Sequence, residues 1–106
     1  MQFRGGLTEM MRQANRLQRK IEERKNELAA EVYEASAGND QVQVKVNGKR
    51  ELVSMTIAPG LLQSEDIAMV QDLIVAATNA ALQKAQQSVE QELEKLTGGV
   101  KMPGML

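Results

Sequence analysis

The spacing of apolar residues changes twice along this chain, and each change restricts what it can fold into. Between residues 7 and 30, Leu7, Met10, Ala14, Leu17, Ile21 and Leu28 recur at steps of three, four, three, four and seven, with Arg24 in the skipped slot. A mean step of about 3.5 residues is a coiled-coil seam, so a long helix is predicted over 7–30, preceded by Gly5-Gly6. From 31 to 57 the period drops to two: Tyr33 and Ala35, then Val42, Val44 and Val46, then Val53, Met55 and Ile57. That is the period of strands with one buried face. From about Ser64 the spacing widens to about 3.6, through Ile67, Val70, Ile74, Ala77, Ala81, Ala85, Val89, Leu93 and Leu96. The predicted fold class is α+β: a long N-terminal helix, a three-stranded antiparallel β-meander, and a long C-terminal helix, whole or broken.

Turn chemistry fills in the detail. Ala37-Gly38-Asn39-Asp40 and Asn47-Gly48-Lys49-Arg50 carry turn residues. A four-residue loop at 47–50 sets Val44 opposite Val53 and Val42 opposite Met55. A three-residue loop would turn Lys45 inward, whereas an Asn-Gly two-residue turn keeps the same facing. The first loop, at 37–40, sets Ala35 opposite Val42 and Tyr33 opposite Val44. The other face then carries Glu34, Ser36, Gln41, Gln43, Lys45, Ser54 and Thr56, a wet surface. Pro59-Gly60 end the third strand, Ser64 is the expected N-cap of the second long helix, and Gly98-Gly99 stop it.

At 106 residues the expectation is a single domain over 1–106, with loose ends at 1–6 and 99–106. Only Phe3 and Tyr33 are aromatic, so aliphatic side chains and Met must make the core. The expected core or dimer positions are Leu7, Met10, Ala14, Leu17, Ile21, Val44, Val53, Met55, Ile74, Ala77 and Ala81. Ala76, Ala77, Ala80, Ala81 and Ala85 make the middle of the second helix thin, which permits close approach. That helix, about 48 Å long at about 32 residues, overshoots a small sheet. A compact chain of this length has a radius of gyration of only about 13 Å. The first helix covers part of the overshoot, and a symmetric partner is expected to cover the rest, making a homodimer.

Absences exclude several chemistries. There is no Cys and no His, hence no thiolate nucleophile, Cys or His metal site, or Ser-His-Asp triad. Ser36, Ser54, Ser64 and Ser88 have no base, and the glycine pairs match no phosphate-binding loop. No catalytic residue, metal, cofactor or small-molecule substrate is expected. Two aromatics make no stacking platform for single-stranded nucleic acid. No signal peptide or membrane span is evident, so a cytoplasmic location is expected.

Net charge, −1 overall, conceals an asymmetry. Residues 1–30 carry net +3 and residues 61–106 carry net −3. With Leu7 at position a of the seam, Arg12, Arg16 and Arg19 point away from it, beside Lys20. Such a run suits phosphate contact. Two plainer readings compete: a solvated face, or neutralisation by Glu90, Glu92 and Glu94 from an antiparallel second helix.

The order of features resembles the YbaB/EbfC family of bacterial nucleoid-associated DNA-binding proteins. The likeness runs from Gly5-Gly6-Leu7 and Met10-Met11-Arg12-Gln13-Ala14 through Ser36-Ala37-Gly38 and Val42-Gln43-Val44-Lys45-Val46-Asn47-Gly48. It continues in Ile57-Ala58-Pro59-Gly60-Leu61-Leu62 and in Asp72-Leu73-Ile74-Val75-Ala76-Ala77-Thr78-Asn79-Ala80-Ala81, and ends in Gly98-Gly99 and Met102-Pro103-Gly104. The resemblance implies a tweezer-like homodimer that holds duplex DNA at its arm tips, with low or modest sequence preference, and organises the nucleoid. Carried onto this chain, the tip residues are Arg4, Arg12 and Arg16, with Lys95 and Lys101. The competing class is a prefoldin-like chaperone or coiled-coil scaffold without DNA binding, which shares the helix, hairpins, helix order.

Overall fold

The computed structural model describes the backbone of residues 2–98 and the side chains of residues 6–98. Helix α1 spans Gln2–Ala30, strands β1, β2 and β3 span Val32–Ala37, Val42–Asn47 and Leu52–Ile57, a single-turn helix α2 spans Pro59–Leu62, and helix α3 spans Ile67–Leu96. The sheet is an antiparallel meander in the order β1-β2-β3. This is the expected α+β plan, and α3 is unbroken.

Several boundaries differ from those read in the sequence. Helix α1 passes through Gly5-Gly6 instead of starting after them. Each glycine costs about 1 kcal/mol of helix propensity, but neither offers the backbone a competing hydrogen bond. Pro59 ends β3 and also opens α2, where its missing N–H matters least. The cap of α3 is Asp66, whose side chain accepts the Met69 N–H at 3.0 Å. Ser64 lies two residues too early and accepts the Asp66 N–H at 3.1 Å. Residues 99–106 lie outside the described residues.

Both hairpins keep the predicted facing with a different register. Ala35 pairs with Val44 and Tyr33 with Val46, because the first turn falls one residue later, at 38–41. Gly38, Asn39 and Asp40 all have positive φ there. In the second hairpin Val42 pairs with Ile57 and Val44 with Met55. The loop is three residues, Gly48 to Arg50: the Asn47 N–H donates to the Glu51 carbonyl and Arg50 adopts φ 64°. Such a loop would turn Lys45 inward, but a bulge at Val53 restores the alternation, with Lys45 opposite Ser54 and Val46 opposite Leu52. Val53 is thereby removed from the core and is 53% exposed.

Helix α3 lies across β1 and β2 and barely reaches β3. Ala77, Ala81 and Ala85 are fully buried against Tyr33, Val42, Val44 and Val46, so the thin alanine face does admit the sheet. Leu61 of α2 closes this core, while Met55 and Ile74 sit half-buried at its margin. The opposite face of the sheet is mostly polar and exposed; Gln43 and Asn47 on it are half-buried, and Val32 is an exposed apolar residue.

A second, smaller core joins the helices: Ile21 and Leu28 of α1 with Leu93, flanked by Val89 and Leu96. These positions overlap by about eight residues, or about 12 Å. Antiparallel helices of about 44 and 45 Å with that overlap reach about 77 Å end to end. The molecule measures 78 × 19 × 17 Å, with a radius of gyration of 20.4 Å. Helix α1 therefore projects beyond α3 as an arm.

Gly48 fixes the hairpin to the base of that arm. A Cβ there would overlap the carbonyl group of Leu28. Gly48→Ala is therefore expected to lower Tm by several degrees in thermal unfolding. Gly6, inside α1 with open space around it, is the control: Gly6→Ala should add about 0.5–1 kcal/mol of helix stability. Equal effects at the two sites would refute the close-approach account.

Candidate nucleic-acid interface

The arm is set by what α3 covers. Leu93 and its neighbours bury Ile21 and Leu28, but α3 ends at Leu96, and every residue from Gly6 to Lys20 is exposed. The first half of the seam is thus uncovered in this chain: Leu7 is 60% and Met10 67% exposed, and Ala14 and Leu17 are exposed too. Ile21 alone among the predicted α1 core positions is buried in this chain.

Arg12, Arg16, Arg19 and Lys20 stand on this bare stretch. Arg12 approaches Glu9 at 3.8 Å, with both side chains more than half exposed, a contact of little energetic weight. Among the described residues Arg16, Arg19 and Lys20 make no ion pair. Among the described residues, none of Glu90, Glu92 and Glu94 forms an ion pair with Arg12, Arg16, Arg19 or Lys20. Glu92 is engaged elsewhere, by Arg24 at 3.0 Å and by Lys95 at 2.9 Å. Arg24 also binds Glu27 at 2.8 Å and approaches Glu31 at 4.0 Å.

The polar interruption of the seam is thereby explained. Arg24 is a cross-helix tie beside the Ile21, Leu28 and Leu93 cluster. Its signal in the sequence was a lone cation in an apolar slot, with an acid-rich helix end to meet it. Lys95 belongs to the same ionic cluster instead of standing with the arm cations. Arg4 lies within α1, beyond the described side chains, and Lys101 lies outside the described residues. The structure thus gathers Arg12, Arg16, Arg19 and Lys20 on one projecting helix and leaves Lys95 at its root. Among the described residues no group of acids is arranged to hold a metal, and no helix is long and apolar enough to cross a membrane.

Sequence comparison decides the family. The model of the YbaB/EbfC DNA-binding family matches residues 3–100. This chain belongs to that family. A nucleoid-associated protein of Myxococcus xanthus is 48% identical over 99 residues, covering 93% of this chain and 94% of the relative. One from Clostridium novyi is 42% identical over 99 residues, covering 93% and 87%. The fold is shared with the crystal structure of an uncharacterized Helicobacter pylori protein, at a TM-score of 0.72 and 19% identity, covering 84% of this chain and 94% of that one.

Hydrogen bonds donated by Lys95 and then Arg24 hold the Glu92 carboxyl below its ordinary value, and the hydrogen bonds that Arg24 donates to Glu27 and Glu92 raise its guanidinium. An acid with a depressed folded pKa stabilises the fold above its unfolded value, about 4.3 for Glu. That contribution disappears as pH falls through the folded value. Glu92→Gln should therefore flatten the fall of Tm as pH drops below about 4.3. Parallel Tm profiles for the two proteins would show that Glu92 adds nothing.

Proposed function

We propose that this chain is a homodimeric, architectural DNA-binding protein of the nucleoid that holds duplex DNA at the tips of its arms. The observation that carries the reading is the stretch Gly6–Lys20: fully exposed, projecting past α3, and bearing four cations against Glu9 alone. The relatives named as nucleoid-associated proteins support the location and role. Helix side chains of this kind contact phosphates, which position a duplex without reading its sequence. Low or modest sequence preference follows from the same chemistry, and so does steep salt dependence.

The dimer reading rests on uncovered apolar surface. Strand β3 is an edge strand that α3 barely covers, with Leu52 and Val53 exposed, and Leu62 and Ile67 are exposed at the entry to α3. A second copy joined through this side of the sheet would bury them and set the two arms as a pair. Duplex DNA between the arms would then meet Arg12, Arg16, Arg19 and Lys20 from both protomers, with Arg4 nearest the tip.

Fluorescence anisotropy on a duplex at roughly 50 and 200 mM salt tests the reading. Binding should be measurable at the lower concentration and fall by orders of magnitude at the higher; no binding at low salt would sink it. The double variant Arg12→Glu with Arg16→Glu should abolish binding while sedimentation still shows a dimer. If that variant unfolds or dissociates, the arginines serve structure. Suppression of client aggregation without DNA affinity would favour the prefoldin-like alternative.

A further inference from the structure

The β2–β3 turn carries two cations that the arm-tip reading does not use. Lys49 and Arg50 are exposed, and among the described residues neither makes an ion pair. They line a groove of about 440 Å³ between this turn, the last turns of α1 and the C-terminal half of α3. Lys25 and Asn26 of α1 and Gln86 of α3 line it too, so it presents three cations and two amides against one acid, Glu22.

The turn is held firmly. Gly48 abuts the Leu28 carbonyl, and the Asn47 side chain accepts the N–H groups of Lys49 and Glu51 at 2.9 and 3.1 Å. Arg50 occupies a left-handed conformation, φ 64°, that favours glycine or asparagine, and yet carries a long cationic side chain there. Cations on a fixed turn lose less freedom on binding than cations on a loose loop.

The groove also connects with the arm. A shallower depression of about 350 Å³, lined by Asn15, Gln18, Arg19 and Glu22, shares Glu22 with it. From Arg19 to Lys25 the helix advances about 9 Å. Amides and cations along one side of a helix, ending at a basic turn, make a path for a sugar–phosphate strand.

We propose that this groove is a second phosphodiester-contact site, so that a strand held at the arm tip continues along the side of α1 to Lys25, Lys49 and Arg50. The proposal rests on the DNA-binding reading above and adds a site at the root of the arm. Glu22 lies on the path and opposes it, which gives the test a variant of opposite sign.

The test measures duplex affinity against salt for the full chain and two variants. Lys49→Ala with Arg50→Asn, which keeps a residue tolerant of positive φ, should bind more weakly. Its slope of log K against log salt should fall by about 1.8 per engaged protomer, 0.9 for each phosphate no longer neutralised. Its affinity loss between roughly 50 and 200 mM salt would then be about 12-fold smaller than that of the parent protein with one protomer engaged, and about 150-fold smaller with two. Glu22→Gln should bind severalfold more tightly, and it stands as the readout if the turn variant fails to fold. An unchanged slope in the turn variant, or unchanged affinity in Glu22→Gln, overturns the proposal and leaves the arm-tip reading intact. Absence of binding by the parent protein overturns both. Inorganic phosphate is titrated separately into DNA-free protein, with the Lys49 and Arg50 amide resonances as readout. Saturation at low millimolar phosphate would assign the groove to a small free anion and overturn the proposal.

Discussion

Everything distinctive about this molecule depends on a joint about 12 Å long, where the last turns of α1 meet the last turns of α3. Ile21, Leu28 and Leu93 bury their side chains there, and Arg24 reaches across to Glu92. Each fully buried aliphatic side chain contributes about 1.5–3 kcal/mol. The ionic tie is only partly shielded, with both side chains about a third exposed, and so contributes more to register than to stability. Because the overlap is short, most of α1 stands clear of the body. A longer overlap would have made an ordinary helical hairpin with its basic face beside the acids of α3.

That joint also sorts the charge. Net charge near zero normally argues against a nucleic-acid partner, since phosphate contact dominates affinity. Here Glu92 is drawn into the joint by Arg24 and Lys95, and the arm keeps its cations. Separating the two signs along 78 Å gives a nearly neutral chain a basic end. Apolar residues of the arm and of edge strand β3 stay exposed in this chain, because α3 packs on β1 and β2 and ends at Leu96.

The β-meander shows how far local reading extends. Alternation of Val42, Val44 and Val46 named the buried face correctly, because side-chain direction along a strand follows from period two. The pairing was shifted by two residues in both hairpins, a change that leaves facing intact and so leaves no mark on the alternation. The bulge at Val53 arises because a three-residue loop and the required facing conflict, and one strand must absorb the mismatch. Gly48 looked like a turn glycine; its absolute requirement is the backbone of α1, a contact between segments about twenty residues apart in sequence.

What the sequence determined by itself was the kind and order of the two long helices and three strands, the buried faces of the sheet (Val53 excepted) and of α3, and the net +3 on the first helix. Those follow from periodicity, turn chemistry and composition, which act over a few residues. Only the tertiary structure decided where α3 stops along α1, and hence that Ile21 is buried while Leu7, Met10 and Leu17 are bare. It also decided which acid meets which base: Glu92 goes to Arg24, leaving Arg16 and Arg19 without an ion pair among the described residues. The physical reason is that a seam repeats every few residues and fits a partner at many offsets. The offset is chosen by the sheet between the helices, through contacts such as Gly48 on Leu28 that no local pattern encodes.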